Sequence, residues 1–89
     1  MAKLILPSGD TQDVQPAKGK KFTLKELQDL VGGYIRVWPF KHATHILLVD
    51  DDGGPKNLPP NSVASMMVQN QLNQKVVGNA LWLAKDEMD

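Results

Sequence analysis

The stretch FTLKELQDLVGGYIRVWPF, residues 22–40, decides the fold. Thr23 offers a helix N-cap, and Glu26 stands three residues later, as a capping box requires. Leu24, Leu27, Leu30 and Val31 fall on one face at helical spacing. Gly32 and Gly33 then stop the helix in the manner of a C-cap. The pattern predicts a helix over 23–31 and a strand over 34–40 that ends near Pro39. This strand lacks a polar face. Alternation puts Tyr34, Arg36, Trp38 and Phe40 on one side and Ile35 and Val37 on the other, which raises the question of why both sides of the strand are used.

Working outward, AKLIL (2–6) reads as a strand, PSGD as a turn, TQDVQ (11–15) as a weaker returning strand and PAKGKK as a loop. Downstream, KHAT turns and HILLVD (45–50) returns as the second strand of a hairpin. DDGGPKNLPP is a loop broken by Gly53, Gly54 and Pro55. Asn61 or Ser62 caps a second helix in which Val63, Met66, Met67 and Asn70 share one face, with Ala64 nearby. QNQLNQK frays into a loop. VVGNALWLAK is a last strand with Gly78 as a bulge position, and DEMD is a solvated tail, disordered from about residue 85. The order β-β-α-β-β-α-β gives one α+β domain over 1–89, with a small mixed, mostly antiparallel sheet and two helices. The early hairpin followed by a helix is also compatible with a β-grasp arrangement.

Composition bounds the function. The 89 residues suffice for one small core. Ten basic and ten acidic residues cancel, which argues against a binder of duplex nucleic acid or anionic membrane, since both need a basic surface. The absence of cysteine excludes a disulfide framework, a thiolate zinc site and a thiol nucleophile, and suits a reducing cytosol. The opening MAKLIL run, closed by Pro7, is too short for a signal peptide or a membrane span.

Three segments, LKELQDLVGGYIRV (24–37), LLVDDDGGPKNLPPNSVAS (47–65) and VVGNALWL (76–83), together carry a resemblance. The sequence resembles a domain-of-unknown-function family of small proteins found mainly in bacteriophages and mobile elements. Its members share a helix ending LQxLVGGYI, an acidic Gly-containing turn, an LPxN step and a VxGxxL strand. The match covers roughly residues 22–84. Asp50, Asp51 and Asp52 stand where the family carries an Asn-Glu-Glu type of turn. The resemblance implies a phage or plasmid setting, in which small domains interfere with host machinery, but it implies no reaction.

The two-sided strand sets the functional question. Ile35 and Val37 can join Leu81 and Leu83, with either Leu4 and Leu6 or Ile46 and Leu48, under the first helix. The opposite face then carries Tyr34, Arg36, Trp38 and Phe40, with Trp82 and either Ile5 or His45. Three readings stand for this face. The second helix covers it, with Met66 and Met67 packed on the tryptophans. A second copy of the chain covers it, giving a homo-oligomer. Or it is a ligand platform, on which rings stack with bases and Arg36 clamps a phosphate.

Other candidates are weaker. His42 and His45, three apart, fall on opposite faces of an extended strand unless a turn brings them together, so a shared metal is disfavoured. DDDGG lacks the alternating ligands and distant Glu of a calcium loop and reads as a solvated turn rather than a magnesium site. No nucleophile elbow exists and the glycines follow a helix, which disfavours a catalytic triad and a phosphate loop. Pro59 and Pro60 stiffen the approach to Asn61, whose ordinary role is the helix cap; a ligand contact at that helix start is the functional alternative. The expectation is a non-enzymatic counter-defence protein, without cofactor, that sequesters a small nucleotide-type immune signal in the host cytoplasm. Its binding residues would be Tyr34, Arg36, Trp38, Phe40, His45, Asn61 and Trp82. The alternative is an inhibitor or adaptor that occludes a host protein through the same face. A metal-dependent nucleotide hydrolase using Asp50–Asp52 is the third hypothesis.

Overall fold

The computed structural model describes residues 2–39, 42–52, 55–68 and 75–88. Its elements are β1 (Ala2–Ile5), β2 (Thr11–Val14), α1 (Leu24–Val31), β3 (Ile35–Val37), β4 (His45–Asp50), α2 (Ser62–Met67) and β5 (Ala80–Ala84), closed by a 3-10 turn at Lys85–Glu87. This is the α+β order that the hydrophobic pattern predicts. The strands form one five-stranded sheet in the order β2-β1-β5-β4-β3. Every pairing of strands within it is antiparallel, so the sheet is not mixed. The central β1–β5 pair also runs antiparallel, whereas a β-grasp pairs those strands parallel.

The capping box forms as the sequence specifies. The Thr23 hydroxyl accepts from the Glu26 amide, and the Glu26 carboxylate accepts from the amides of Thr23 and Ala17. The bond from Thr23, followed by that from Ala17, holds the Glu26 carboxyl below its usual pKa. Gly32 ends α1 in the left-handed region, at φ 96°.

Both sheet faces are buried. Under α1, Phe22, Leu27 and Val31 pack on Ala2, Leu4, Leu48, Leu81 and Leu83, with Leu6, Ile35 and Ile46 at the margin. Both aliphatic pairs weighed for this core therefore enter it. On the opposite face, Ile5, Trp38, Leu47, Val49 and Ala80 meet Ala64, Val68 and Val76. The run HILLVD does not alternate because Leu47 and Leu48 point into different cores, as in a strand covered on both sides. Of the second helix, Ala64 and Val68 make the buried contact with Val63 beside them, while Met66 is 78% exposed. The expected methionine face is thus turned outward. Ala64 is small enough to bring the helix close to the sheet, and Asn61 fixes its rotation from below.

The C-terminus departs from the expected solvated tail. The 3-10 turn folds back, the Phe22 amide donates to the Glu87 carbonyl at 2.7 Å, and Phe22 and Met88 form a parallel bridge. The Glu87 carboxylate accepts from the Ala84 amide, and Met88 packs at the margin of the α1 core. Charge density at 85–87 hides an apolar anchor that follows it. Gly78 is not a bulge. It turns at φ 73°, with its amide donating to the Pro59 carbonyl and its carbonyl accepting from Asn61. A Cβ there would meet Leu58 at 2.7 Å. Among the described residues no helix is long and apolar enough to cross a membrane.

Candidate functional site

The face proposed as a platform is largely filled. Register places Arg36 opposite Val49, and the Trp38 amide donates to the Leu47 carbonyl at 2.8 Å. That puts the Trp38 ring into the core under α2, where it is 5% exposed. Packing with Ala64 and Val68 fills the Trp38 part of this face. Arg36 stays at the surface. Its guanidinium lies 5.5 Å from the Trp38 ring centroid and pairs with Asp51 at 3.6 Å. Both partners are about half exposed, so the pair adds at most about 1 kcal/mol.

Trp82 lies between Lys3 and Leu47 in the ladder and is half-buried. His45 stacks on it, with centroids 5.1 Å apart and planes 12° apart. His42 meets both rings edge-on, at 5.2 Å from Trp82 and 5.5 Å from His45. A turn does bring the histidines together, against the extended-strand geometry. It forms because the His42 Nδ1 accepts from the amides of Thr44 and His45, which closes the chain around the ring. The His45 Nδ1 lies 2.8 Å from the Thr44 hydroxyl. Among the described residues no group of three or more His, Cys, Asp or Glu is placed to hold a metal ion.

The remaining candidates disperse. Phe40 lies outside the described residues. Asn61 is fully buried and takes its structural role. Its side-chain amide donates to the carbonyls of Ile5 (2.9 Å) and Gly78 (2.8 Å), and its oxygen accepts from the Ala64 amide (3.1 Å). One side chain thereby ties β1, the turn before β5 and the start of α2. No functional group of Asn61 is left for a ligand at the helix start. Tyr34, 70% exposed, leaves the tryptophans and lines a cleft beside the end of α1.

The acidic turn proves to be a latch that the motif reading missed. Asp50 is buried; its carboxylate accepts from Lys56 Nζ (2.8 Å) and from the Asp52 amide (2.8 Å). Burial pushes the Asp50 carboxyl up, but the Lys56 and Asp52 hydrogen bonds and the Lys56 charge outweigh it, so the net shift is downward. The Asp50 carboxylate in turn raises Lys56 above its ordinary value, against a smaller opposing effect of burial. Gly33 permits this pair, since a Cβ there would meet Lys56 Nζ at 2.6 Å and Asp50 Oδ2 at 2.8 Å. The legible signal was the spare glycine. Gly32 alone supplies the C-cap, so a second glycine marks a close approach.

Two open clefts flank α1 and the sheet ends. One, of about 590 Å³, lies between the 15–21 loop and the C-terminal turn and is lined by Pro16, Lys20, Lys21 and Glu87 among others. The other, of about 510 Å³, lies between the last turn of α1 and the acidic turn and includes Gln28, Tyr34, Asp52 and Lys56. Among the described candidate binding residues, only Tyr34 lines either. The segments that carried the family resemblance, helix end and acidic turn, therefore converge on one cleft.

No curated protein and no solved structure matches the chain. A family model does, across residues 3–89, and the chain accordingly belongs to the family described as Domain of unknown function (DUF3846).

Proposed function

We propose that this is a non-enzymatic binding protein of phage or mobile-element origin that occludes a host protein in the host cytoplasm, docking at the open β3 edge. The observation that carries this reading is the character of that edge. Among the described residues β3 pairs only with β4, and it is bordered by Tyr34 and by Val37, which is 48% exposed. The Asp51 amide donates to the Tyr34 carbonyl and the Trp38 amide to the Leu47 carbonyl. Antiparallel alternation then points the peptide groups of Ile35 and Val37 away from the sheet. An edge with outward peptide groups and exposed apolar side chains accepts an extended partner segment by strand addition. The burial of Trp38 under α2 counts against a broad stacking platform.

Sequestration of a small nucleotide-type signal is the second reading. It is favoured by the exposed guanidinium of Arg36 and by the half-buried Trp82–His45 stack on the same face. Native mass spectrometry of gently purified protein separates the two. The first reading predicts a protein-sized partner that is lost in Val37→Pro, which deletes an outward N–H and spares the bonds to β4. A nucleotide-sized adduct lost in Arg36→Ala, with no protein partner, would overturn it in favour of the second.

A further inference from the structure

We infer that the β3 edge admits an acidic partner segment and turns away a second copy of this chain, with Arg36 as the residue that decides. This rests on the docking reading above and names the partner's chemistry: an extended segment with Asp or Glu opposite Arg36. The register fixes what an added strand meets. Tyr34 and Trp38 bond to β4, so Arg36, midway between them, also turns its peptide groups inward. An added antiparallel strand therefore bonds to Ile35 and Val37. Arg36 then falls at the non-hydrogen-bonded position between them, where facing side chains approach closely, with ~4.5 Å between Cα atoms.

A second copy fails at that position. Two antiparallel β3 strands use all their outward residues only when Ile35 of each pairs with Val37 of the other. That register sets the two Arg36 side chains directly against each other, and like charges so placed are destabilising. The neighbouring registers fail for other reasons. One slip pairs Val37 with Gly33, whose amide is already bonded to the Gln28 carbonyl. The opposite slip pairs Ile35 with Pro39, which has no N–H. The same charge suits a carboxylate. Arg36 meets Asp51 through Nε at 3.6 Å, an ion pair longer than a hydrogen bond, and its side chain is 44% exposed. The sheet already holds one cross-strand pair of this kind, where Lys3 stands opposite Asp13 with 3.9 Å between Nζ and Oδ1. On either side of the acidic residue the segment faces Ile35 and Val37, so apolar residues belong there.

The test titrates the ¹⁵N-labelled full chain with the peptide acetyl-Thr-Val-Glu-Val-Thr-amide, then with the same peptide carrying Lys in place of Glu. The inference predicts shifts at the amides of Ile35, Arg36 and Val37, with the Glu peptide bound about fivefold tighter than the Lys peptide. Arg36→Glu should invert that order, and the wild-type chain should form no β3-paired dimer at the concentrations of the titration. Equal binding of the two peptides, an order unchanged by Arg36→Glu, no shifts on β3, or a wild-type dimer broken by Val37→Pro would overturn the inference. The docking reading fails separately. A captured host protein that survives Val37→Pro removes that reading, whereas one lost in Val37→Pro and indifferent to Arg36→Glu removes the inference alone.

Discussion

The two faces of the sheet are covered by different means. On the α1 face, an eight-residue helix with a complete capping box lays Leu27 and Val31 across Leu4, Leu48, Leu81 and Leu83. Large aliphatic side chains carry that contact. On the α2 face, among the described residues, a six-residue helix and its C-cap bring Ala64 and Val68, with Val63 partly buried, and one buried asparagine fixes their position by donating two hydrogen bonds and accepting a third. The first face is held by apolar area, the second by a polar pin and two tryptophans. A short helix cannot cover a whole sheet face, so Trp82, Arg36 and the histidines remain half open at its far end.

The largest expected effect is on the pin. Asn61→Ala removes the side-chain bonds to the Ile5 and Gly78 carbonyls and from the Ala64 amide in a dry interior, and should cost about 3–5 kcal/mol in denaturant unfolding. Asn61→Asp should be nearly as damaging, because it loses both donated bonds. If Asn61→Ala cost less than Leu27→Ala, the contrast between a pinned face and a packed face would collapse. Leu27→Ala, which opens a cavity under α1, should cost about 2–4 kcal/mol.

The latch comes next. Asp50→Asn replaces a charged acceptor of Lys56 by a neutral one and should cost about 1–2 kcal/mol at neutral pH. Because the folded-state pKa of Asp50 is lowered, its contribution is fully present above the unfolded carboxyl value, near pH 4, and is lost as pH falls through the lower folded value. Stability measured against pH should therefore fall less steeply on the acid side in Asp50→Asn than in the parent chain, with Glu26 contributing the remaining slope. Identical acid limbs would remove the latch. Gly33→Ala should produce a similar loss by forcing Lys56 off Asp50. Thr23→Ala removes one cap bond and should cost about 1 kcal/mol. Met66→Gln should change stability by less than about 0.5 kcal/mol, since that side chain faces outward; a larger loss would mean that the methionines pack on the sheet after all.

Much of the fold was legible in the sequence because local signals agree. Thr23, Glu26 and Gly32 mark α1 at both ends, and the runs at 2–6, 45–50 and 76–85 read as strands by length and composition. The two-sided strand raised the question of what lies on its second face and left the second helix, a second copy and a ligand as answers. What covered the second face was not legible, since Ala64 and Val68 are weaker apolar signals than Met66 and Met67, and the deciding contact is a hydrogen bond from Asn61 to β1, which lies 56 residues upstream. The C-terminal anchor was hidden because Glu87 and Met88 read as tail until Phe22 is placed beside them. Candidate-site residues chosen for their chemistry were in the main claimed by packing: Trp38 by the core and Asn61 by the pin. Tyr34 kept its exposure but changed neighbourhood, because the strand begins one residue after it and the chain at Gly33 hugs the Asp50–Lys56 pair.

Trp38 is buried against Ala64 and Val68 of its own chain. Acrylamide quenching of the Trp82→Phe variant, which leaves Trp38 as the sole tryptophan, tests this directly. Burial within one chain gives blue-shifted emission that resists quenching and does not change on dilution. Emission open to the quencher at all concentrations would restore the exposed platform, and protection that vanishes on dilution would assign the cover to a second copy; either result would rule out burial within one chain.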